Sequence, residues 1–367
     1  MSARSPSAVV LIMAGGTGGH VFPALAAAKA LRERGFEPVW LGTPKGLEGR
    51  LVPPHQIPIE WVSVSGLRGK GFSAWLLAPL RLLNAVRQSL AIMRRRRPAV
   101  VLGAGGFVTG PGGLAAWLCR RPLVIHEQNA VAGMTNRILA RFADRVLEAF
   151  PNSFPSSVHA EAVGNPVRRE IAAIADPSTR FAARSGAARL LVFGGSQGAA
   201  RLNAVLPEAI ALLPVDERPQ VIHQAGERNY PQAVDSYAKH QVRADIRAFI
   251  DDMAEVYGWA DLVVCRSGAL TVSELAAAGV GAIFVPFAAA VDDHQTRNAE
   301  FLVSAGAAII VAERELTPAR LAAELRALLG AGRTKLLEMA RIARSQAIID
   351  ADQRLAEACV ALAGGAR

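Results

Sequence analysis

At 367 residues the chain exceeds what one hydrophobic core organises, so two domains are expected, and 51% hydrophobic residues supply enough apolar material for both. Three cysteines without paired spacing, Cys119, Cys265 and Cys359, argue against a disulfide framework or a zinc site and fit a reducing compartment. The net charge of +10 is placed unevenly: residues 1–166 carry 19 Lys/Arg against 8 Asp/Glu, the remainder 22 against 23. The first half is therefore expected to meet something anionic, whether nucleic acid, a membrane surface or a phosphorylated substrate.

Residues 9–34 open with an apolar run, 9–13, that breaks into Gly15-Gly16-Thr17-Gly18-Gly19-His20 and continues as an Ala/Leu helix. Pro23 is read in the first helical turn, where a missing N–H costs nothing. A turn of this kind leaves backbone N–H groups bare at the positive end of a helix dipole and suits a phosphate. The apolar start resembles the core of a secretory signal, but it is short and runs straight into glycines, so it reads as a first strand. Further strands are expected at 38–41 and 59–64. Residues 68–81 mix Phe72, Trp75 and leucines with cations, and the helix that follows ends in Arg94-Arg95-Arg96-Arg97. That pattern fits an interfacial membrane contact; an ordinary core-facing helix with a solvated cationic end fits the periodicity as well. Nucleic acid ranks last, because aromatics are few and no nucleic-acid module is visible.

A strand at 99–102 leads into Gly103-Ala104-Gly105-Gly106, and one at 123–125 into His126-Glu127-Gln128-Asn129, at a carboxyl end where ligands bind in such sheets. Helix 133–142 and strand 145–149 follow. The Asn165-Pro166 turn marks the domain boundary, giving 1–166 and 167–340. The glycine unit then recurs at 189–213: strand 190–193, Gly194-Gly195-Ser196-Gln197-Gly198, helix. Strands are expected at 220–224, 246–250, 262–264 and 281–286. Helices are expected at 269–278, after Ser267-Gly268, and at 319–329, capped by Thr317-Pro318. Residues 335–363 read as amphipathic helix. Two such units argue for two α/β domains, each with a parallel sheet, and a cleft between two such domains would suit a substrate. The longest uncharged stretch, 275–291, is cut by Gly279, Gly281 and Pro286 and makes no membrane span. The pairs Asp251-Asp252 and Asp292-Asp293 read as solvated turn residues, so no metal is assigned.

Eight segments occur in one order: GGTGGHVFPALA, GAGGFVTGPGGLAA, IHEQNAVAGMTNR, VGNPVR, GGSQGA, FIDDM, CRSGALTVSE and DDHQTRNA. Together they resemble the MurG family of peptidoglycan N-acetylglucosaminyltransferases over nearly the whole chain. The resemblance implies a GT-B fold, α/β, with two Rossmann-like domains facing across a cleft. Residues 1–166 with a returning helix at 341–367 would form the acceptor and membrane-facing domain, and 167–340 the UDP-sugar domain. The implied reaction is inverting transfer of N-acetylglucosamine from UDP-GlcNAc to the 4-hydroxyl of lipid I, the undecaprenyl-diphospho-muramoylpentapeptide. It would run without cofactor or metal at the cytoplasmic face of the inner membrane, with residues 68–97 on the anionic surface and nucleic acid not a partner.

For the residues, backbone donors at a helix start and small hydroxyls suit the growing charge on the leaving diphosphate. Ser196 with Gln197, and Ala269, Leu270 and Thr271 with Val272 and Ser273, are the candidates. Glu274 suits two ribose hydroxyls, since a carboxylate accepts more than one hydrogen bond. The resemblance adds Ile250 near uracil, Gln295 on the sugar and Arg168 near the nucleotide. Thr17, Gly18 and Gly19 would lie against a diphosphate and Asn129 on a sugar. His20 has base chemistry suited to neutral pH and is the catalytic candidate, as base or as acceptor orienter, with Glu127 as a second base. Residues 287–291 are apolar where the family often has a polar loop. Rival readings are a UDP-GlcNAc 2-epimerase or a transferase with a soluble acceptor, and a non-enzymatic basic adaptor. A dehydrogenase and a P-loop kinase lack their glycine signatures here.

Overall fold

The computed structural model describes residues 8–64, 77–195, 199–287, 293–330 and 332–365. Ser196, Gln197, Asp292, residues 288–291 and the 68–76 part of the basic segment lie outside the described residues. Two compact units result, residues 1–167 with 349–367, and 168–348.

The first unit holds a seven-stranded parallel sheet. Its strands are β1 (Val9–Met13), β2 (Glu37–Gly42), β3 (Ile59–Trp61), β4 (Val100–Gly103), β5 (Leu123–Glu127), β6 (Arg145–Glu148) and β7 (Glu161–Ala162), in the order β3-β2-β1-β4-β5-β6-β7. Runs such as VVLIM and VVLG are apolar at every position because helices cover both faces of a parallel sheet. β1 sits between β2 and β4, with Ile12 opposite Trp40 and Leu102. Trp40 is fully buried, and its indole N–H donates to the Ala14 carbonyl at 2.9 Å.

The second unit repeats the plan with six parallel strands: β8 (Arg189–Phe193), β9 (Gln220–Gln224), β10 (Asp245–Arg247), β11 (Leu262–Cys265), β12 (Gly281–Phe284) and β13 (Ala308–Ile310). Their order is β10-β9-β8-β11-β12-β13. Each sheet reverses direction of winding beside its first strand, the place where such folds bind ligands.

Several expectations change. The first helix spans Gly18–Glu33, so Pro23 lies inside it and not in its first turn, and His20 becomes its third residue. The strand expected at 246–250 is only Asp245–Arg247: it is a sheet edge, and Phe249 is exposed. Residues 335–363 divide into two helices, Gly332–Ser345 and Ala351–Gly365. The return to the first unit therefore begins at Ile349 and not at residue 341, because Arg341 donates to the Ser178 hydroxyl oxygen and Arg344 to the Ala172 carbonyl, both in the second unit. Gly279 and Gly281 are what let that helix in: a Cβ on Gly281 would stand 2.9 Å from Met339 Cβ. The last helix instead packs Leu355, Ala356, Ala358 and Cys359 against Val21, Ala24, Ala28 and Leu31 of the first.

Candidate active site

In the first unit the carboxyl ends of the adjacent strands β1, β4 and β5 bring three loops together. Thr17 is extended (φ −120°) and begins the Gly18–Glu33 helix, with Gly18 and Gly19 in its first turn. That turn is held where two glycines allow close approach. A Cβ on Gly106 (φ +88°) would lie 2.2 Å from the Gly15 carbonyl oxygen, and one on Gly105 (φ +98°) 2.6 Å from His20 Nδ1. His20 is half-buried, and its Nδ1 lies 2.8 Å from Gln128 Oε1.

Two expectations about this region are revised. The turn's N–H groups are not all bare, because Gly16 N–H donates to Glu48 Oε2 at 3.2 Å. The other oxygen of Glu48 accepts from the Thr43 N–H and hydroxyl, both at 2.8 Å, and the side chain is fully buried. Sequence reading missed Glu48; its only signal is a lone acid set between Gly46 and Gly49. The Glu127 carboxylate, the second base candidate, is already engaged. Its Oε1 accepts from Asn129 N–H and Nδ2, and its Oε2 from Gly133 N–H and Asn136 Nδ2, so the buried carboxylate is committed to shaping the 129–136 loop. Asn129 is thereby fixed beside His20's partner Gln128.

In the second unit, Glu274 lies in the Ala269–Ala278 helix with 13% of its side chain exposed. Arg168 donates to its Oε1 from Nε at 3.1 Å and from Nη2 at 2.9 Å, and the Tyr257 hydroxyl donates to Oε2 at 3.3 Å. Burial pushes the Glu274 carboxyl above the usual range while Arg168 pulls it back; burial also drives the Tyr257 phenol far up, so it stays a donor. Tyr257 was invisible in sequence, sitting in an apolar helix far from Glu274. Gly268 enters the helix without a side-chain cap, which leaves the first-turn amides of Ala269, Leu270 and Thr271 at a positive end. In the same first two turns Val272 is buried with its N–H on the Gly268 carbonyl, and the Ser273 hydroxyl donates to the Ala269 carbonyl at 3.0 Å.

Gln295 opens the His294–Ala305 helix. Its Oε1 accepts from Phe287 N–H at 2.9 Å, which aims the amide nitrogen elsewhere, and its carbonyl accepts from the Ser267 hydroxyl at 2.8 Å. Arg266 braces the same corner, donating to the Val285 and Pro286 carbonyls and lying over the Phe287 ring. Ile250 is buried just before the Met253–Trp259 helix, which Asp252 caps by accepting from Glu255 N–H at 2.9 Å. Among the described residues no group of three His, Cys, Asp or Glu could hold a metal ion, and no helix is long and apolar enough to cross a membrane.

The glycosyltransferase family 28 N-terminal domain matches residues 10–148, and the family's C-terminal domain matches residues 189–355. The chain belongs to glycosyltransferase family 28. A relative from Nitrosococcus oceani is 57% identical over 97% of this chain and 99% of its own; its name is UDP-N-acetylglucosamine--N-acetylmuramyl-(pentapeptide) pyrophosphoryl-undecaprenol N-acetylglucosamine transferase. A relative of the same name from Marinobacter nauticus is 56% identical over 98% and 99%. The crystal structure of Acinetobacter baumannii MurG matches with a TM-score of 0.86 at 41% identity, covering 96% of this chain and 99% of that one. The fold is that of the GT-B glycosyltransferases.

Proposed function

We propose that this chain is an inverting N-acetylglucosaminyltransferase that moves GlcNAc from UDP-GlcNAc to the 4-hydroxyl of lipid I, giving lipid II for peptidoglycan. The observation that carries this reading is the 57% identity to a transferase of that name over 97% of the chain. The second unit binds the donor. Glu274, steered by Arg168 and Tyr257, accepts from the ribose hydroxyls, Ile250 lies by uracil, and Gln295 offers its amide nitrogen to the sugar. The diphosphate meets the first-turn amides of Ala269, Leu270 and Thr271, with Ser196 as a further donor. The first unit takes the acceptor, with Thr17, Gly18 and Gly19 against its diphosphate and Asn129 on its sugar. His20 removes the 4-hydroxyl proton as that oxygen attacks the anomeric carbon, and the bond to the β-phosphate breaks with its electron pair leaving on UDP.

The membrane reading rests on exposed apolar residues beside cations. Leu80 (65% exposed) and Leu83 (59%) stand on the Ala78–Arg96 helix, and Trp117 (48%) and Leu118 (51%) end the neighbouring Thr109–Leu118 helix. Leu118 shares an open hollow of about 500 Å³ with Arg94, Arg97 and Arg121. Such surfaces suit a headgroup layer and support a peripheral position, read here as the cytoplasmic face of the inner membrane.

Label transfer from UDP-[¹⁴C]GlcNAc to lipid I in vesicles tests the activity. Labelled lipid-linked disaccharide is expected only with acceptor present. Conversion of the sugar nucleotide without acceptor would move the chain to the epimerase reading. His20→Ala is expected to lower kcat by about 10²- to 10⁴-fold with little change in donor KM.

A further inference from the structure

Four groups of the first unit form a hydrogen-bonded line that ends on His20: the Gly164 carbonyl, His126, Gln128 and the His20 ring. We propose that Gln128 and His126 are positioning residues that fix the tautomer of His20, holding its proton on Nδ1 and presenting Nε2 as the bare acceptor nitrogen. This rests on the reading that His20 takes the acceptor's proton.

The direction of the line is set at its far end, by an atom whose role cannot change. A backbone carbonyl only accepts, and His126 Nε2 lies 3.0 Å from the Gly164 carbonyl oxygen, so that nitrogen carries the proton. Burial pushes the His126 imidazole down to about 4, although the neighbouring Glu127 carboxylate works the other way, so the ring is neutral and its Nδ1 is a lone pair. Gln128 Nε2 lies 3.0 Å from that Nδ1 and 3.2 Å from the His126 carbonyl oxygen. Both are acceptors, so the reversed amide would set its oxygen against two lone pairs. The amide orientation is therefore dictated by its partners.

Gln128 is itself buried, and its backbone carbonyl accepts from Asn165 Nδ2 at 3.0 Å, which holds the residue in place. With Nε2 committed to His126, Oε1 is what faces His20 Nδ1 at 2.8 Å. An amide oxygen only accepts, so His20 Nδ1 donates. In the neutral ring the remaining nitrogen, Nε2, is then free of its proton. A neutral histidine side chain in water prefers the opposite arrangement, with the proton on Nε2, so the line inverts an intrinsic preference. Gly105 backs the same nitrogen, and the absence of a Cβ there keeps Nδ1 within reach of the amide.

Long-range ¹H–¹⁵N NMR of the full chain labelled at histidine reads the tautomer directly. At neutral pH the wild-type protein should show His20 protonated at Nδ1 with a pyridine-like Nε2, and His126 the reverse. Gln128→Met removes both amide atoms at similar volume. It should return His20 to the Nε2–H form and lower kcat about 10- to 100-fold, with donor KM nearly unchanged. A wild-type His20 carrying its proton on Nε2 overturns the proposal, and this spectrum decides the matter even if Gln128→Met fails to fold. A Gln128→Met protein with unaltered tautomer and kcat overturns it too. Wild-type kcat in His20→Ala would instead remove the base reading, whatever the tautomer.

Discussion

In the first unit, three buried glutamates among the described residues turn their carboxylates on loop N–H groups. Glu48 takes Gly16 and Thr43, Glu127 takes Asn129 and Gly133, and Glu148 takes Asn152, Ser153 and Phe154. In the second unit the same work is done from the other side by guanidiniums. Arg180 donates to the carbonyls of Tyr257, Ala278 and Gly279, Arg184 to those of Gly258 and Ala260, and Arg333 to those of Ser185, Gly186 and Ala187. The two sets of braces thus work with opposite charge, although the first unit also has Arg32 on the His55 and Gln56 carbonyls and the second has Asp261 on the Arg189 N–H. The arginine-braced carbonyls lie just ahead of β8, β11 and β12, at the amino ends of the strands, so these braces hold the scaffold and not the loops at the carboxyl ends where a ligand binds. In the half with excess cations the buried charged side chains among the described residues are carboxylates, so its positive charge is an exterior property that can meet a surface.

The sharpest way to break this contrast is to remove a brace from each unit. Arg184→Met would leave the fully buried Asp261 with only Arg333, at 3.5 Å, and the Arg189 N–H, and should cost the second unit about 3 kcal/mol in urea unfolding. Glu48→Ala strands the Gly16 and Thr43 donors and should cost the first unit about 3 kcal/mol. Equal losses in both units from either change would show that the braces are not local.

Each unit also buries one histidine whose ring is pushed down to about 4 by desolvation, His126 in the first and His223 in the second. Their folded values lie below the unfolded one, so the unfolded chain binds the extra protons. Stability is full above pH 6.5 and declines as pH falls from 6.5 toward 4, by about 2 kcal/mol per histidine at pH 5. Urea midpoints between pH 7 and 5 test this, and His223→Gln should flatten only the second unit's share.

Glu274→Gln should weaken UDP-GlcNAc binding about tenfold, read as KM, because Arg168 then faces a neutral amide. Since burial raises the Glu274 carboxyl, acidification should remove its charge, and donor affinity with it, at a higher pH than for an ordinary glutamate; the Gln variant should lose that dependence. The smallest effect per residue is at the surface. Reversing Arg94, Arg97 or Arg121 to Glu should weaken binding to anionic vesicles by about 1 kcal/mol per charge removed, and undiminished binding would reject this face as the membrane contact.

Much of the scaffold was legible because its signals are local. Apolar runs ending in glycine marked β1, β4 and β8, the Ala269–Ala278 helix was read to the residue, and the Thr317 cap accepts from Arg320 N–H at 3.1 Å. The edge strands β7 and β13 were not anticipated, since two or three residues carry no period.

Residue order alone determined two parallel α/β units, the glycine turns beneath them and the identity of His20 and Glu274 as candidates, since strand, turn and helix patterns are properties of neighbours in the chain. Tertiary structure decided what those side chains face. Gln128 reaches His20 across 108 residues, Arg168 reaches Glu274 across 106, and Glu127 braces the loop at Asn129 and Asn136. Hydrogen bonds depend on where folding sets donor against acceptor, and a list of residues contains the groups without their distances.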